Sequence, residues 1–481
     1  MKSIRPYALL LSTLCLAIQL CLAPAARALS IKEEKELSRK FMKMVERRFQ
    51  LIQDPMIVDY VNAVGRRILA VVPPQPFHYR FFVIKEAVYN AFASPAGKIF
   101  IYSGLLKAMD NEDELAGILG HEIGHVVSRH ISQKISQAKK VNIAALAGLI
   151  AGVFLGASGS AAIGNALTIG SMAAGQSIML SHSRQDEVQA DQLGAVFMTR
   201  AGYDGSGMIT MLRKIRARQW FGSEQIPTYM MTHPGLPQRL AYLGSWLASH
   251  PEAHHRHSHR EQLAFRMMHA RLLALYDEED TALSTFKQQV ARRPQDVAAQ
   301  YGYGLALSRS GSYKAAIVHF QKALEKTAFN PDILVEVGRN YLKLGEFGHA
   351  RSTIRSVLSI APHHLEGLYT LGQIQLQNGQ LPQAVKSFRA VLKNRRGEGY
   401  RKTLYLLGKA YAGMGDKANA YYYLGLYYRN LKAYDNAMFQ LERALAEVKD
   451  TQRRRQIKTL LREIGRQRAE ARKAAGKKGS G

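Results

Sequence analysis

The sequence predicts a mainly α protein, with a first domain that carries a small β-sheet and a helical-repeat solenoid behind it. Three observations predict it. Apolar residues at helical spacing bracket two short β-rich runs within residues 31–134. A second helical stretch fills residues 184–249. From residue 261 onward, small residues recur with a 34-residue period: Gly304, Gly338 and Gly372; Gly311, Gly345 and Gly379; Ala316, Ala350 and Ala384. The composition agrees. Of 481 residues, 47% are apolar and 21% charged, which excludes a wholly disordered chain and a multi-span membrane protein.

The chain opens with Lys2 and Arg5, then an apolar run over residues 7–22, then Ala26-Arg27-Ala28. This is the pattern of an export signal cleaved after Ala28. The alternative is an uncleaved segment anchored in the inner membrane. The only two cysteines, Cys15 and Cys21, lie inside this segment, and Ile18-Gln19-Leu20 does not make a lipoprotein signal. The expected mature chain is therefore exported to the periplasm and free of cysteine. Disulfide frameworks, thiolate metal sites and cysteine nucleophiles are excluded, so any metal must be held by His, Asp or Glu. The formal charge of +29 (66 Lys+Arg against 37 Asp+Glu) favours anionic surfaces or acidic polypeptides. Export, and the absence of a recognisable binding module, exclude nucleic acid as the partner.

Residues 31–70 read as two amphipathic helices, marked by Leu37, Phe41, Met44 and Phe49 and by Val58, Val61 and Val64. Residues 79–84 and 98–102 read as strands, with a turn-rich stretch over 90–97 between them. Asn111 and an acidic first turn open a helix expected to run to about Lys134. Residues 141–183 contain no Asp, Glu, Lys or Arg and are rich in Ala and Gly. They are too interrupted by glycine for a membrane span, which needs about 20 apolar residues. They read as a helical hairpin near the site or as a loop in peripheral contact with a membrane. The stretch 250–260, with five histidines among His250, His254, His255, His257 and His259, reads as a linker.

The 34-residue period identifies tetratricopeptide repeats over 261–450. Each repeat pairs two helices. Small residues stand where the paired helices touch, and Phe320, Ile354 and Phe388 follow each alanine by four. Ala437 and Leu441 come only 17 residues after their predecessors, a half-repeat step that leaves the helix pairing open there. Residues 451–481 form a basic helix and tail. The expected organisation is thus a signal at 1–28, a catalytic domain at 29–249, a linker at 250–260, repeats at 261–450 and the basic end.

The chemistry is carried by His121-Glu122-Ile123-Gly124-His125. On a helix, residues i and i+4 share a face, so His121 and His125 can hold one zinc ion while Glu122 acts on a water beside it. The apolar flanks put this helix half inside a core, where imidazoles and a carboxylate without a metal would be costly. Zinc needs a third protein ligand and an open position. Glu187 and Asp191 share a helical face at the same spacing. Glu187 can ligate, and Asp191 can hydrogen-bond the outer nitrogen of a ligand histidine. His130, five residues past His125 and about 140° around a continuous helix, is a poor third ligand.

These motifs resemble the metallopeptidase family of HtpX and the CAAX prenyl proteases. The resemblance rests on His121-Glu122-x-x-His125, on Glu187-x-x-x-Asp191, on Asn90 to Ala93 followed by Tyr102-Ser103-Gly104, and on Thr232-His233-Pro234 with Arg239. It covers about residues 35–245. With an export signal in front and repeats behind, the chain is similar to the periplasmic protease-chaperones of that family. It lacks HtpX's clear transmembrane helices, and it lacks the C-terminal cysteines such protease-chaperones carry, so regulation through a disulfide does not carry over. The resemblance implies that His233 can take zinc's open position and hold the protease latent. The residues alone allow other roles. His233 or Arg239 could hydrogen-bond a tetrahedral intermediate, or both could serve loop packing.

The expected function is zinc-dependent hydrolysis of unfolded or misassembled polypeptides, with Asn90 to Ala93 adding the substrate as a strand and the repeats holding clients. The resemblance implies outer-membrane proteins and their assembly machinery as clients and partners. The alternative is a chaperone or docking scaffold whose protease site is mostly latent.

Overall fold

The computed structural model describes residues 29–137, 182–221, 228–255, 259–394 and 401–476. The expected signal segment and nearly all of the 141–183 stretch lie outside the described residues. The chain divides into two compact units, one of residues 1–52 and 58–265, the other of 53–57 and 266–481.

In the first unit, α1 (Ile31–Arg48) is opened by a capping box: Ser30 accepts from the Glu33 backbone, and the Glu33 carboxylate accepts from the Ser30 N–H in return. Helix α2 (Pro55–Leu69) follows. The sheet has strand order β1 (Arg80–Ile84), β3 (Lys98–Tyr102), β2 (Ala91–Ser94). Strands β1 and β3 run parallel, while β2 pairs antiparallel with β3, Phe92 opposite Phe100. The stretch read as turn-rich thus contains a third, edge strand. Its turn is Ala96 and Gly97, both at positive φ, 59° and 77°. Helix α1 closes one face of the sheet. Phe41 meets Phe92 and Phe100 edge-on at 5.9 and 5.8 Å, and Phe92 stacks on Phe100 at 4.9 Å.

A short α3 (Ser103–Lys107) leads to α4 (Glu112–Val127), whose N-cap Asn111 accepts from the Glu114 N–H. The helix expected to run on to Lys134 is broken. It ends at Ser128, Arg129 adopts a left-handed φ of 54°, and α5 (His130–Gln137) sets off in a new direction. A non-glycine residue in that region is strained. Here it is held by the buried Glu34, which pairs with the Arg129 guanidinium, and by the Leu29 carbonyl, which accepts from it. Then come α6 (Arg184–Arg200), α7 (Ser206–Phe221), α8 (Thr228–Thr232) and α9 (Leu236–Ser249). Within the stretch read as a linker, Pro251–Ala253 forms a 3-10 turn, and α10 (His259–Tyr276) starts at His259.

The second unit is a run of antiparallel helix pairs, from α11 (Glu279–Arg292) to α18 (Arg401–Gly413) and beyond. Their small and large residues interlock as the period requires. A Cβ on Gly304, Gly338 or Gly372 would lie 2.5–2.6 Å from Phe320, Ile354 or Phe388 of the following helix. Ala316, Ala350 and Ala384 are fully buried. The half-repeat step resolves into a helix with two faces. In α19 (Lys417–Asn430), Leu424 fills the space at Gly408 of the helix before, while Gly425 receives Leu441 of α20 (Tyr434–Glu447) behind. The turn after α19 uses Lys432 at φ 59° where earlier repeats use glycine. The chain ends in α21 (Thr451–Gly476), which buries Ile457 and Ile464.

Candidate metal centre

The centre is built where α4 and α6 touch. Glycines let them approach. A Cβ on Gly124, inside the His-Glu-x-Gly-His run, would lie 2.7 Å from the Ala190 carbonyl oxygen, and one on Gly194 would lie 2.7 Å from the His121 nitrogen. Backbone contact at that distance brings the His121–His125 face of α4 directly against the Glu187–Asp191 face of α6. The turn between α8 and α9 then lowers His233 onto the pair, its N–H bonded to the Tyr229 carbonyl at 2.8 Å.

Four side chains converge there: His121, His125, Glu187 and His233, all at most 1% exposed. The His121 and His125 Nε2 atoms are 3.0 Å apart. His233 Nδ1 is 3.2 Å from His121 Nε2 and 3.1 Å from Glu187 Oε1. Glu187 Oε1 and Oε2 stand 3.3 and 3.5 Å from the Nε2 atoms of His125 and His121. A tetrahedral zinc ion with bonds of about 2.0–2.1 Å holds its ligand atoms about 3.3–3.4 Å apart. The cluster has that spacing and that chemistry. Two imidazole nitrogens 3.0 Å apart and buried need either a proton or a cation between them. The residues present therefore fit a metal.

Asp191 Oδ1 accepts from His121 Nδ1 at 2.7 Å, which fixes the ring and leaves Nε2 free to ligate. Asp191 is itself clamped by Arg239 Nε and Nη2, both at 2.7 Å, and by the Tyr242 hydroxyl. Arg239 Nη1 lies 2.7 Å from Glu187 Oε2. All three guanidinium nitrogens thus face the two carboxylates. Burial would raise both carboxyls, but the Arg239 charge outweighs it for Asp191, held at about 2. For Glu187, the charges on His233 and Arg239 push it further below the carboxylate range. His233 goes the other way: burial disfavours its charge, but Glu187 holds it above the ordinary imidazole value.

Glu122 differs from the other acids. It is fully buried, and neither carboxylate oxygen has a hydrogen-bond partner among the described residues. Its nearest charged neighbour is His233 Nε2, 3.7 Å from Oε1. Burial drives its pKa up. A buried carboxyl with no hydrogen bond, beside a ligand cluster, is free to exchange a proton with something entering the site.

The structure also adds residues that the sequence analysis did not assign. Tyr229 stacks on His233 at 4.3 Å. His182 stacks on His125 at 3.7 Å. His130 reaches back to His125, Nδ1 to Nδ1 at 2.8 Å. The first two are lone aromatic residues far along the chain from the motif and carry no sequence signal. The third was hidden by the assumption of an unbroken helix.

Residues 59–247 match Peptidase family M48. Residues 280–331 and 337–400, and again 418–446, match tetratricopeptide repeats. Among curated proteins, the chain is 27% identical over 298 residues to the beta-barrel assembly-enhancing protease of Yersinia pestis, covering 61% of this chain and 60% of that protein. It is 27% identical over 301 residues to the protein of the same name from Escherichia coli strain K12, covering 61% and 59%. It is 30% identical over 194 residues to the mitochondrial metalloendopeptidase OMA1 of Schizosaccharomyces pombe, covering 40% and 53%. The chain thus spans about 60% of the length of the beta-barrel assembly-enhancing proteases it matches.

Proposed function

From a chain that carries a peptidase family M48 domain ahead of tetratricopeptide repeats, we propose that it is a zinc metalloendopeptidase of the bacterial periplasm. Its substrates are unfolded or misassembled envelope proteins, those of the outer membrane above all. Two relatives are named beta-barrel assembly-enhancing proteases, which supports β-barrel proteins among the substrates. The export-signal pattern read at residues 1–28 supports the location.

One observation carries the hydrolase reading: a buried Glu122 with no hydrogen-bond partner among the described residues, beside a converged cluster of three imidazoles and a carboxylate. His121, His125 and Glu187 would hold one zinc ion. Bound there, zinc supplies Lewis acidity, polarising the scissile carbonyl and making a water acidic. Glu122 takes the proton of the attacking water on a carboxylate oxygen and delivers it to the leaving amine. Asp191 and Arg239 act as positioning residues, holding His121 and Glu187. Strand β2 is at the sheet edge, where an extended substrate could pair with it, although residues 91–94 are all buried as the chain stands. The repeats hold the client, or the assembly machinery on which it sits.

A second reading, a docking scaffold with a mostly latent site, is favoured by His233. Its Nδ1 lies 3.2 Å from His121 Nε2 and 3.1 Å from Glu187 Oε1, so His233 would be a fourth protein group to hold the ion. The test is degradation of an unfolded β-barrel client by the full chain. Glu122→Gln should bind zinc one-to-one and lose at least about 100-fold in rate. His233→Ala should cut faster than wild type. If wild type and His233→Ala are both inert with zinc bound, the hydrolase reading fails and the scaffold reading stands.

A further inference from the structure

We propose that His130 and Gln189 form a proton-fixing relay that makes His125 a metal ligand through Nε2. The proposal rests on the zinc reading above.

His130 is 2% exposed and sits on the far side of His125 from the ligand cluster. Its Nδ1 is 2.8 Å from His125 Nδ1, and its Nε2 is 2.9 Å from Gln189 Oε1. No other acceptor among the described residues competes at hydrogen-bond distance. Asp186 Oδ1 stands 3.9 Å from His130 Nε2, and the other Asp186 oxygen is taken by the Ser183 N–H at 2.8 Å and by Lys134 at 3.1 Å. To ligate a metal the His125 ring must be neutral, with a lone pair on the ligating nitrogen.

A neutral imidazole carries one proton, and the relay decides where. If His125 is to present a lone pair at Nε2, its proton must lie on Nδ1 and be donated to His130 Nδ1. His130 must then carry its own proton on Nε2. That proton needs an acceptor, and Gln189 Oε1 is one. With Gln189 turned so that Oε1 faces His130, the three groups are consistent in one direction; the same amide turned over would present its NH2 and reverse it. Were a donor at position 189 to face His130 Nε2, both ring protons would shift, and His125 would point an N–H at the cluster. The acceptor at the end of the chain thus sets the ligand's polarity two residues away.

This arrangement mirrors the one at His121, where Asp191 accepts from Nδ1. Each of the two histidines on α4 is oriented from behind by a group on α6 or one bonded to α6. Stacking of His182 on the His125 ring holds its plane but says nothing about its tautomer.

The test uses the full chain loaded with zinc or with Co(II). Wild type, His130→Ala, His130→Asn and Gln189→Met are compared by zinc release to a colorimetric chelator, by the Co(II) visible spectrum, and by the melting temperature of the metal-free protein. His130→Ala should release zinc about 10- to 100-fold faster and shift the Co(II) bands, with the metal-free melting temperature close to wild type. His130→Asn, which keeps an acceptor for His125 Nδ1–H, should recover most of the loss. Gln189 is on the surface, so Gln189→Met should fold and still speed release several-fold. Unchanged release and spectra in His130→Ala and Gln189→Met would overturn the relay while leaving the zinc reading intact. Faster release that tracks only a fall in metal-free stability, with no rescue by Asn, would also overturn it. A wild type that binds no metal would overturn the parent reading and the relay together.

Discussion

Asp191 shows how much of this centre is arrangement and how little is the motif itself. It is not one of the converged donors. It receives His121 Nδ1, two Arg239 nitrogens and the Tyr242 hydroxyl. Removing its charge leaves the guanidinium of Arg239, 2% exposed, with Glu187 as its one remaining ionic partner among the described residues. Breaking a buried ion pair from one side costs about 3–5 kcal/mol, more than any gain in side-chain freedom. Asp191→Asn is therefore expected to lower the stability of the first unit by about 3 kcal/mol and to weaken zinc binding about 10- to 100-fold. Denaturant melts of the metal-free protein and competition titration of zinc read the two effects separately. If zinc binding is unaffected, Asp191 does not orient His121. The His121-x-x-x-His125 pair and the Glu187-x-x-x-Asp191 pair were legible because helical spacing alone puts each pair on one face. Arg239 was legible only by resemblance, and as an oxyanion group. Nothing in the spacing says that it lies behind the ligands, facing two carboxylates.

At the scale of elements, the decisive contact is the one between α4 and α6, and glycine makes it. Substituting Gly124 sets two effects against each other. Alanine favours a helix over glycine by about 0.8–1.0 kcal/mol. Its Cβ would lie 2.7 Å from the Ala190 carbonyl oxygen, a backbone atom that cannot rotate away, and overpacking of that kind costs about 1–3 kcal/mol. The clash wins. Gly124→Ala is expected to destabilise the unit and, because Ala190 adjoins Asp191, to loosen the metal as well. Gly465 on α21 is the control. A Cβ there would meet no atom within 4 Å among the described residues, so Gly465→Ala should be neutral or stabilising by up to about 1 kcal/mol. Equal effects of the two substitutions in chemical denaturation would mean that the close approach does not matter. The same element shows where the reach of sequence patterns ends. Apolar periodicity runs across residues 112–135 without a gap, so one long helix was the natural expectation. The break at Arg129 is decided elsewhere, by Glu34 on α1 and by the Leu29 carbonyl. Only the break turns His130 back towards His125. Likewise β2 is short, and its alanines and serine resemble loop; antiparallel pairing with β3 makes it a strand. The repeats were legible almost throughout, since their spacing is local and repeats itself. The half-repeat at α19 was the exception, because one helix there serves two partners.

At the scale of the whole molecule, the two units differ in what a metal can do for them. Every candidate zinc donor, with Glu122, Asp191 and Arg239, belongs to the unit of residues 1–52 and 58–265. The repeat unit holds its helices by nearest-neighbour packing, as Gly304 on Phe320 and Gly338 on Ile354 show, and stability of that kind is a sum of local terms. A ligand stabilises only the state that binds it, by about 4 kcal/mol at a thousand times its Kd. Zinc should therefore stabilise the first unit alone. Chelation is expected to lower amide protection in α4 and α6 by about two to three orders of magnitude, roughly a thousandfold where free zinc had been a thousand times its Kd. Amides of α14 (Pro331–Lys343) and α16 (Leu365–Gln377) should keep theirs. Hydrogen exchange of the full chain, with zinc and after chelation, measures both at once. Equal loss of protection in α4 and α14 would show that the chain opens as one cooperative body. In that case, metal loss would also disturb the repeats, and the proposed protease and scaffold roles could not be separated by removing zinc. Loss confined to α4 and α6 would leave the repeats able to bind after zinc removal, so that binding by the chelated protein could be measured with hydrolysis switched off.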